Sequence, residues 1–200
     1  PLSLPCPMLG APQELRGDSL RLGNDVAPVE FNEQLETTLL ELFFFLTELV
    51  ANAADLEEHT MLYRYLHGEV EGRTLSIEEL THFFLTLSIA GHETTRNSTV
   101  HFVRLMDEHP EQKALLLEDL EGRMPNAIDE VLRFSPPVMQ FCRTATEDVE
   151  VRGQTIPAGD KVYLSYLSAN RDEDVFDDPN TFDILRPNAS DHLAFGIGPH

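Results

Sequence analysis

The stretch from Ser76 to His109 limits the fold of this chain more than any other. It reads as one long helix with a polar middle. Leu80, Phe83, Phe84 and Leu87 recur at helical spacing before the interruption, and Phe102, Val103, Leu105 and Met106 after it. Between them lie nine consecutive residues without a hydrophobe, Gly91 to Thr99. A buried helix carries such a block at a cost, because each buried polar group needs a partner. A glycine, an acid and two adjacent threonines at the centre of an apolar helix point to a ligand or a solvent channel against that face. Ser76 and Glu79 form a capping box at the start. Pro110 disfavours helical geometry at His109 and closes the far end. About 33 residues at 1.5 Å each would span roughly 50 Å. The Thr94-Thr95 pair after Gly91 is a weak helical spot, so a kink is expected there, with threonine hydroxyls capturing backbone carbonyls.

Around this helix the chain is helical first and irregular later. Residues 1–30 are broken by prolines and read as a helix remnant, loop and short helix. Phe31 to Asn52 is a strong amphipathic helix, with Leu35, Leu39, Leu42, Phe43, Leu46, Leu49 and Val50 on one face. Leu56 to Leu66 is a shorter helix, and Gly68 to Leu75 a turn. Pro110 to Leu117 starts with proline at its tolerated first position. Asn126 to Phe134 is helical and stops at Pro136-Pro137. Then Val149-Glu150-Val151 alternates, Gly153-Gln154 turns and Lys161 to Leu167 is β-rich, which reads as a hairpin of short strands. Asn170 to Pro179 is acidic and turn-rich, and the rest is coil. The fold class is mainly α with small β-sheets (α+β). We expect one partial domain over residues 1–200, helical to about residue 135, with small strands and coil over 136–200.

Composition narrows the function. A formal net charge of −21 argues against binding nucleic acid or an anionic membrane. Cys6 and Cys142 give neither a disulfide framework nor a metal-ligand spacing, which fits a cytoplasmic protein. The longest apolar run, Leu42 to Leu46, has five residues, against the roughly 18 a membrane helix needs. The chain opens on Pro1-Leu2-Ser3 and stops at Gly198-Pro199-His200, and it reads as an internal fragment.

Several local patterns have plain alternatives. His92-Glu93-x-x-Arg96 is not a zinc-protease motif, because the second histidine is replaced by arginine. Glu93 and Thr94 could equally form a solvated helix face. Glu130 and Arg133, at i and i+3, could be a surface ion pair, unless a third charge locks them in the interior. Phe195-Gly196-Ile197-Gly198 does not follow a strand in a βαβ unit, so it is a turn and not a dinucleotide loop. Cys142 beside Arg143 is either an activated thiol or a small hydrophobe.

In combination and in this order, four segments resemble motifs of the cytochrome P-450 superfamily of heme-thiolate monooxygenases. They are Ala90-Gly91-His92-Glu93-Thr94-Thr95, Glu130-x-x-Arg133, Phe182-Asp183-Ile184-Leu185-Arg186 and Phe195-Gly196-x-Gly198-x-His200. The resemblance covers nearly the whole chain and implies a C-terminal-half fragment of that fold with a long central kinked helix. It implies heme b (iron protoporphyrin IX), with Ala90, Gly91, Arg143, Phe195 and His200 at the cofactor and Arg143 and His200 on its propionates. It makes Glu93 and Thr94 the catalytic proton relay toward dioxygen. Glu130, Arg133 and Arg186 become a buried structural network, and Val138, Met139 and Phe141 line the substrate side.

Two departures stand out. The family's axial cysteine lies two places beyond the motif histidine, so no metal ligand falls within this chain. The loop Pro187 to Asp191 is also about one residue longer than usual. The resemblance implies a parent enzyme that hydroxylates a terpenoid, sterol or lipid with O2 and electrons from a ferredoxin, without a membrane anchor. The fragment itself is then expected to be inactive. The rival reading is a non-catalytic acidic helical binding module that keeps the scaffold.

Overall fold

The computed structural model describes residues 33–52 and 58–198. The elements expected over residues 1–30 and the role expected of His200 lie outside them. The chain divides inside its longest helix, at Arg96 and Asn97, into two compact units.

The first unit holds α1 (Glu33–Ala51), α2 (Met61–His67), a small hairpin of β1 (Glu69–Val70) and β2 (Arg73–Thr74), and the first part of α3 (Ile77–Glu108). Leu42, Leu46, Leu49 and Val50 fall on one stripe of α1 and bury against Leu62, Leu80 and Phe84. Each such side chain contributes about 1.5–3 kcal/mol. Phe43, on the edge of the stripe, meets His82 edge-on at 5.2 Å. The helix expected from Leu56 starts at Met61 instead. Thr60 caps it, its hydroxyl accepting from the Tyr63 N–H, and Glu58 and His59 form the turn before it.

The capping box at the start of α3 forms as the sequence predicts. Ser76 N–H donates to Glu79 Oε2 at 2.9 Å, and Glu79 N–H donates to Ser76 Oγ at 3.2 Å. Arg73, on the strand just before, adds a fork onto both Glu79 oxygens at 2.8 and 2.7 Å. The helix ends at Glu108, with His109 outside helical geometry before Pro110. Its hydrogen-bonding pattern runs unbroken through Thr94-Thr95.

The second unit holds the end of α3, then α4 (Pro110–Glu118), α5 (Leu120–Phe134), strands β3 (Gln140–Thr144), β4 (Val149–Val151), β5 (Gln154–Ile156) and β6 (Lys161–Ser165), and one-turn α6 (Tyr166–Ala169). Leu105, Met106, Leu116, Ala127 and Val131 pack with Phe182 and Ile184 from the coil. Helix α5 starts at Leu120, six residues earlier than the expected Asn126. Asp119 caps it, accepting from the Gly122 N–H at 3.0 Å. Pro125 therefore lies inside the helix. It forfeits the bond to the carbonyl of exposed Glu121, which water can satisfy, and its ring crowds that same carbonyl.

The strands pair differently from the expected single hairpin. β4 and β5 form one hairpin, turning at Arg152 and Gly153 with φ of 48° and 78°. Two left-handed residues in succession make the turn whose twist suits a two-residue hairpin, and glycine takes the second place without strain. β6 pairs instead with β3, antiparallel from Gln140–Ser165 to Thr144–Lys161. No apolar alternation marks β3, because all five of its residues are exposed.

Candidate functional site

In the first unit, the polar centre of α3 is built by local bonds. Thr94 Oγ1 donates to the Ala90 carbonyl one turn back at 2.7 Å, the capture expected of a mid-helix threonine. Glu93 pairs with Arg96 one turn on, and its Oε1 is shielded from solvent. The rejected zinc motif thus has a use for its arginine, which neutralises the acid. His92 is buried, whereas Ala90 and Thr95 are exposed. A Cβ built on Gly91 would meet no atom within 4 Å, so open space lies against the helix at its glycine.

In the second unit, Glu130, Arg133 and Arg186 come together in the interior. Glu130 and Arg133 are wholly buried, and Arg186 is 5% exposed. Arg133 Nε and Nη2 donate to the two Glu130 oxygens at 2.7 and 2.8 Å. Arg186 Nε approaches the same carboxylate at 3.3 Å. One carboxylate facing two guanidiniums leaves a positive excess, and backbone carbonyls take it up. Arg133 donates to the carbonyls of Asn170, Pro179 and Thr181 at 2.8, 2.9 and 3.1 Å. Arg186 donates to those of Asp177, Asp178 and Thr181 at 2.5, 3.2 and 3.0 Å. Phe176 lies under the Arg133 guanidinium at 5.2 Å. This is the interior lock under which the Glu130–Arg133 pair matters, and it rules out the surface-pair alternative.

The network holds the coil in place. Asp183 N–H donates to Glu130 Oε1 at 2.9 Å, Ile184 N–H to Gln112 Oε1 at 3.0 Å, and Asn126 Nδ2 to the carbonyls of Ile184 and Arg186 at 2.7 and 3.0 Å. Irregular backbone can be buried only when its polar groups are satisfied in this way. Sequence reading missed Asn126, Gln112 and Asn170. Their signal is weak, because their partners are backbone groups that carry no side-chain signature.

The remaining predicted residues lie at the surface of the second unit. Met139 and Phe141 are 63% and 49% exposed, and Val138 is half-buried. The Arg143 guanidinium stacks on Phe141 at 5.5 Å and donates to the Cys142 carbonyl at 3.2 Å. It has no carboxylate partner among the described residues. Cys142 is an exposed free thiol, which rules out the small buried hydrophobe. Phe195 and Ile197 project from the glycine-rich loop, 79% and 81% exposed. Gly196 and Gly198 have φ of 75° and 91°.

In the first unit, Gly91 leaves open space against its helix. Within the second unit, the exposed apolar side chains of the glycine-rich loop and the Arg143 guanidinium, which has no carboxylate partner among the described residues, suit a flat, apolar, doubly acidic ring such as heme. A guanidinium suits a carboxylate in just this role.

The sequence pattern described as Cytochrome P450 matches residues 36–200. The chain is 36% identical over 208 residues to a methyl-branched lipid omega-hydroxylase of Mycobacterium tuberculosis, covering 99% of this chain and 47% of that protein. It is 36% identical over 206 residues to a steroid C26-monooxygenase of Mycolicibacterium smegmatis, covering 100% of this chain and 47% of that protein. Among solved structures, CYP109E1 from Bacillus megaterium in complex with corticosterone superposes with a TM-score of 0.91 at 28% identity, covering 99% of this chain and 55% of that one. The chain spans about half the length of the curated relatives it matches.

Proposed function

The chain belongs to the cytochrome P450 family, and from that premise we propose that the full-length protein is a heme-dependent monooxygenase acting on a hydrophobic small molecule. The observation that carries this reading is the centre of α3, where a threonine hydroxyl is tied to the preceding turn beside an open glycine. Heme b, when bound, supplies dioxygen activation and the insertion of one oxygen atom into an unactivated C–H bond.

The chain's own residues bind, orient and move protons. With heme bound, Arg143 and His200 would hold its propionates, and Phe195 and Ala90 would pack on the ring. Gly91 leaves room for dioxygen. Thr94, its rotamer fixed by the Ala90 carbonyl, hands on a proton. Glu93 feeds that relay, with Arg96 holding its carboxylate in place. A relay of this kind is general acid catalysis. Val138, Met139 and Phe141 present the apolar surface on which substrate rests.

The substrate class we assign is a terpenoid, sterol or lipid chain, in keeping with the lipid and steroid hydroxylases among the relatives. The electron donor we assign is a ferredoxin, and the compartment the cytoplasm. The run Ser168 to Glu173, similar to that of soluble bacterial members of the family, supports both. Among the described residues no helix is long and apolar enough to cross a membrane.

The deciding measurement is the carbon monoxide difference spectrum of the reduced full-length protein. A Soret band shifted far to the red is the expected result and reports a thiolate ligand. Bound heme without that shift would overturn the monooxygenase reading and favour a non-catalytic binding module. Absence of heme uptake would do the same.

A further inference from the structure

We propose that Asn170 is a positioning residue that fixes the glycine-rich loop to the buried Glu130–Arg133–Arg186 network, and through the loop positions the heme. The second part rests on the function proposed above.

Asn170 follows α6 as its C-cap, with its N–H on the Tyr166 carbonyl at 2.9 Å. It is fully buried. Its backbone and side chain face two different structures. The backbone carbonyl receives Arg133 Nη1 at 2.8 Å, so the charged network fixes where the residue stands. The side-chain Oδ1 receives the Leu193 N–H at 2.7 Å, three residues before Gly196. One residue thus bridges the network and the start of the loop.

Two neighbours strengthen the assignment. Tyr166 lies one turn earlier on α6, and a Cβ on Gly196 would come within 3.1 Å of its hydroxyl. The loop backbone is therefore seated close against this helix at a second point. The His192 imidazole accepts the Ala194 N–H at 3.2 Å and faces Asp129 of α5 at 3.8 Å. The first amides of the loop are thus held by side chains instead of by a strand or helix.

Packing alone does not explain an asparagine here. Its Nδ2 is buried and has no hydrogen-bond partner among the described residues. A leucine has the same branched outline and would remove that unpaired amide donor, but it would leave the Leu193 N–H without its acceptor. The amide is retained for what its oxygen does.

The test uses the full-length protein loaded with heme. Asn170→Ala removes the acceptor, whereas Asn170→Asp keeps it. Leu116→Ala, in the core of the same unit and away from the loop, serves as a destabilised control. Two readouts are taken: amide exchange of the peptide spanning residues 190–197, and the Soret band of the reduced carbon monoxide complex. We expect N170A to exchange at least about tenfold faster in that peptide, a change of about 1.4 kcal/mol in local opening. We also expect part of its Soret band to leave the red-shifted position. N170D should restore both readouts, and L116A should move neither. Unchanged exchange in N170A, loss of both signals in N170D, or the same changes in L116A would overturn the proposal. If N170A does not accumulate, Asn170→Ser replaces it, being too short to reach Leu193, with the same outcomes. If even the unaltered protein takes up no heme, the heme reading fails, and the exchange data still decide whether Asn170 holds the loop.

Discussion

Arg133 stands one helical turn after Glu130 on α5, with both side chains wholly buried, and donates two hydrogen bonds of 2.7 and 2.8 Å to its carboxylate. A geometry this closed makes removal of either partner expensive, because the other is left charged in the interior. Glu130→Ala strands two guanidiniums at once. We expect it to lower unfolding stability by about 3–5 kcal/mol. Arg133→Lys should also destabilise, since one ammonium cannot satisfy two carboxylate oxygens and three carbonyls. Denaturant unfolding of the full-length protein reads both. A loss under about 1 kcal/mol for Glu130→Ala would mean that the backbone carbonyls, and not the carboxylate, hold the two arginines.

The start of α3 should respond to acid. Glu79 accepts from Ser76 and from both arms of Arg73, and its carboxyl is lowered to about 2, chiefly by the Arg73 hydrogen bond. Its folded value lies below the ordinary 4.5, so the stabilisation is complete above about 4.5 and is lost as pH falls toward about 2. The pair is exposed, so salt should weaken it. Amide protection at residues 76–80, taken relative to the intrinsic exchange rate at each pH, is expected to fall across that window in the natural protein and to be already low at neutral pH in Glu79→Gln. Equal exchange in the two proteins at neutral pH would show that the Ser76 hydroxyl alone caps the helix.

Thr94 offers a test of the relay. Thr94→Val keeps the shape and removes the hydroxyl that donates to Ala90. Product turnover by the heme-loaded full-length protein should fall by about a hundredfold or more, the usual contribution of a positioned proton donor. Thr94→Ser should recover most of it. Steady-state kcat with equal heme content is the measurement. Undiminished turnover in Thr94→Val would remove Thr94 from the relay.

Much of this architecture is legible in the sequence wherever the signal is local. The capping box, Pro110 as the stop of α3 and the apolar stripe of α1 each depend on residues within one or two turns. The Glu130–Arg133 spacing is equally local, but its burial is not. What locks the pair is Arg186, 56 residues beyond Glu130, together with carbonyls of a coil that has no periodicity. Strand β3 escaped notice for a related reason. Its residues are all exposed, so no alternation marks it, and only pairing with β6 makes it a strand. Asn170 reads as one more turn residue, since turns favour asparagine in any case. Its partners, the Arg133 side chain and the Leu193 amide, are found only in three dimensions.

His192 should give stability a dependence on pH near neutrality. Its imidazole is almost wholly buried, Nδ1 accepts the Ala194 N–H, and Nε2 faces Asp129 at 3.8 Å. Burial pushes its proton affinity below the ordinary 6.5, and Asp129 opposes this without overcoming it. The unfolded chain therefore takes up the proton first. Stability from the neutral imidazole is present above 6.5 and falls as pH drops below that value, until the folded form protonates too. His192→Gln has no group that titrates in this range. Its unfolding midpoint should vary less between about pH 7 and 5 than that of the natural protein, whatever its absolute level. Denaturant titrations at several pH values give the two slopes. Parallel curves would mean that the Asp129 carboxylate fully compensates the burial, and that His192 holds the Ala194 amide without coupling the loop to pH.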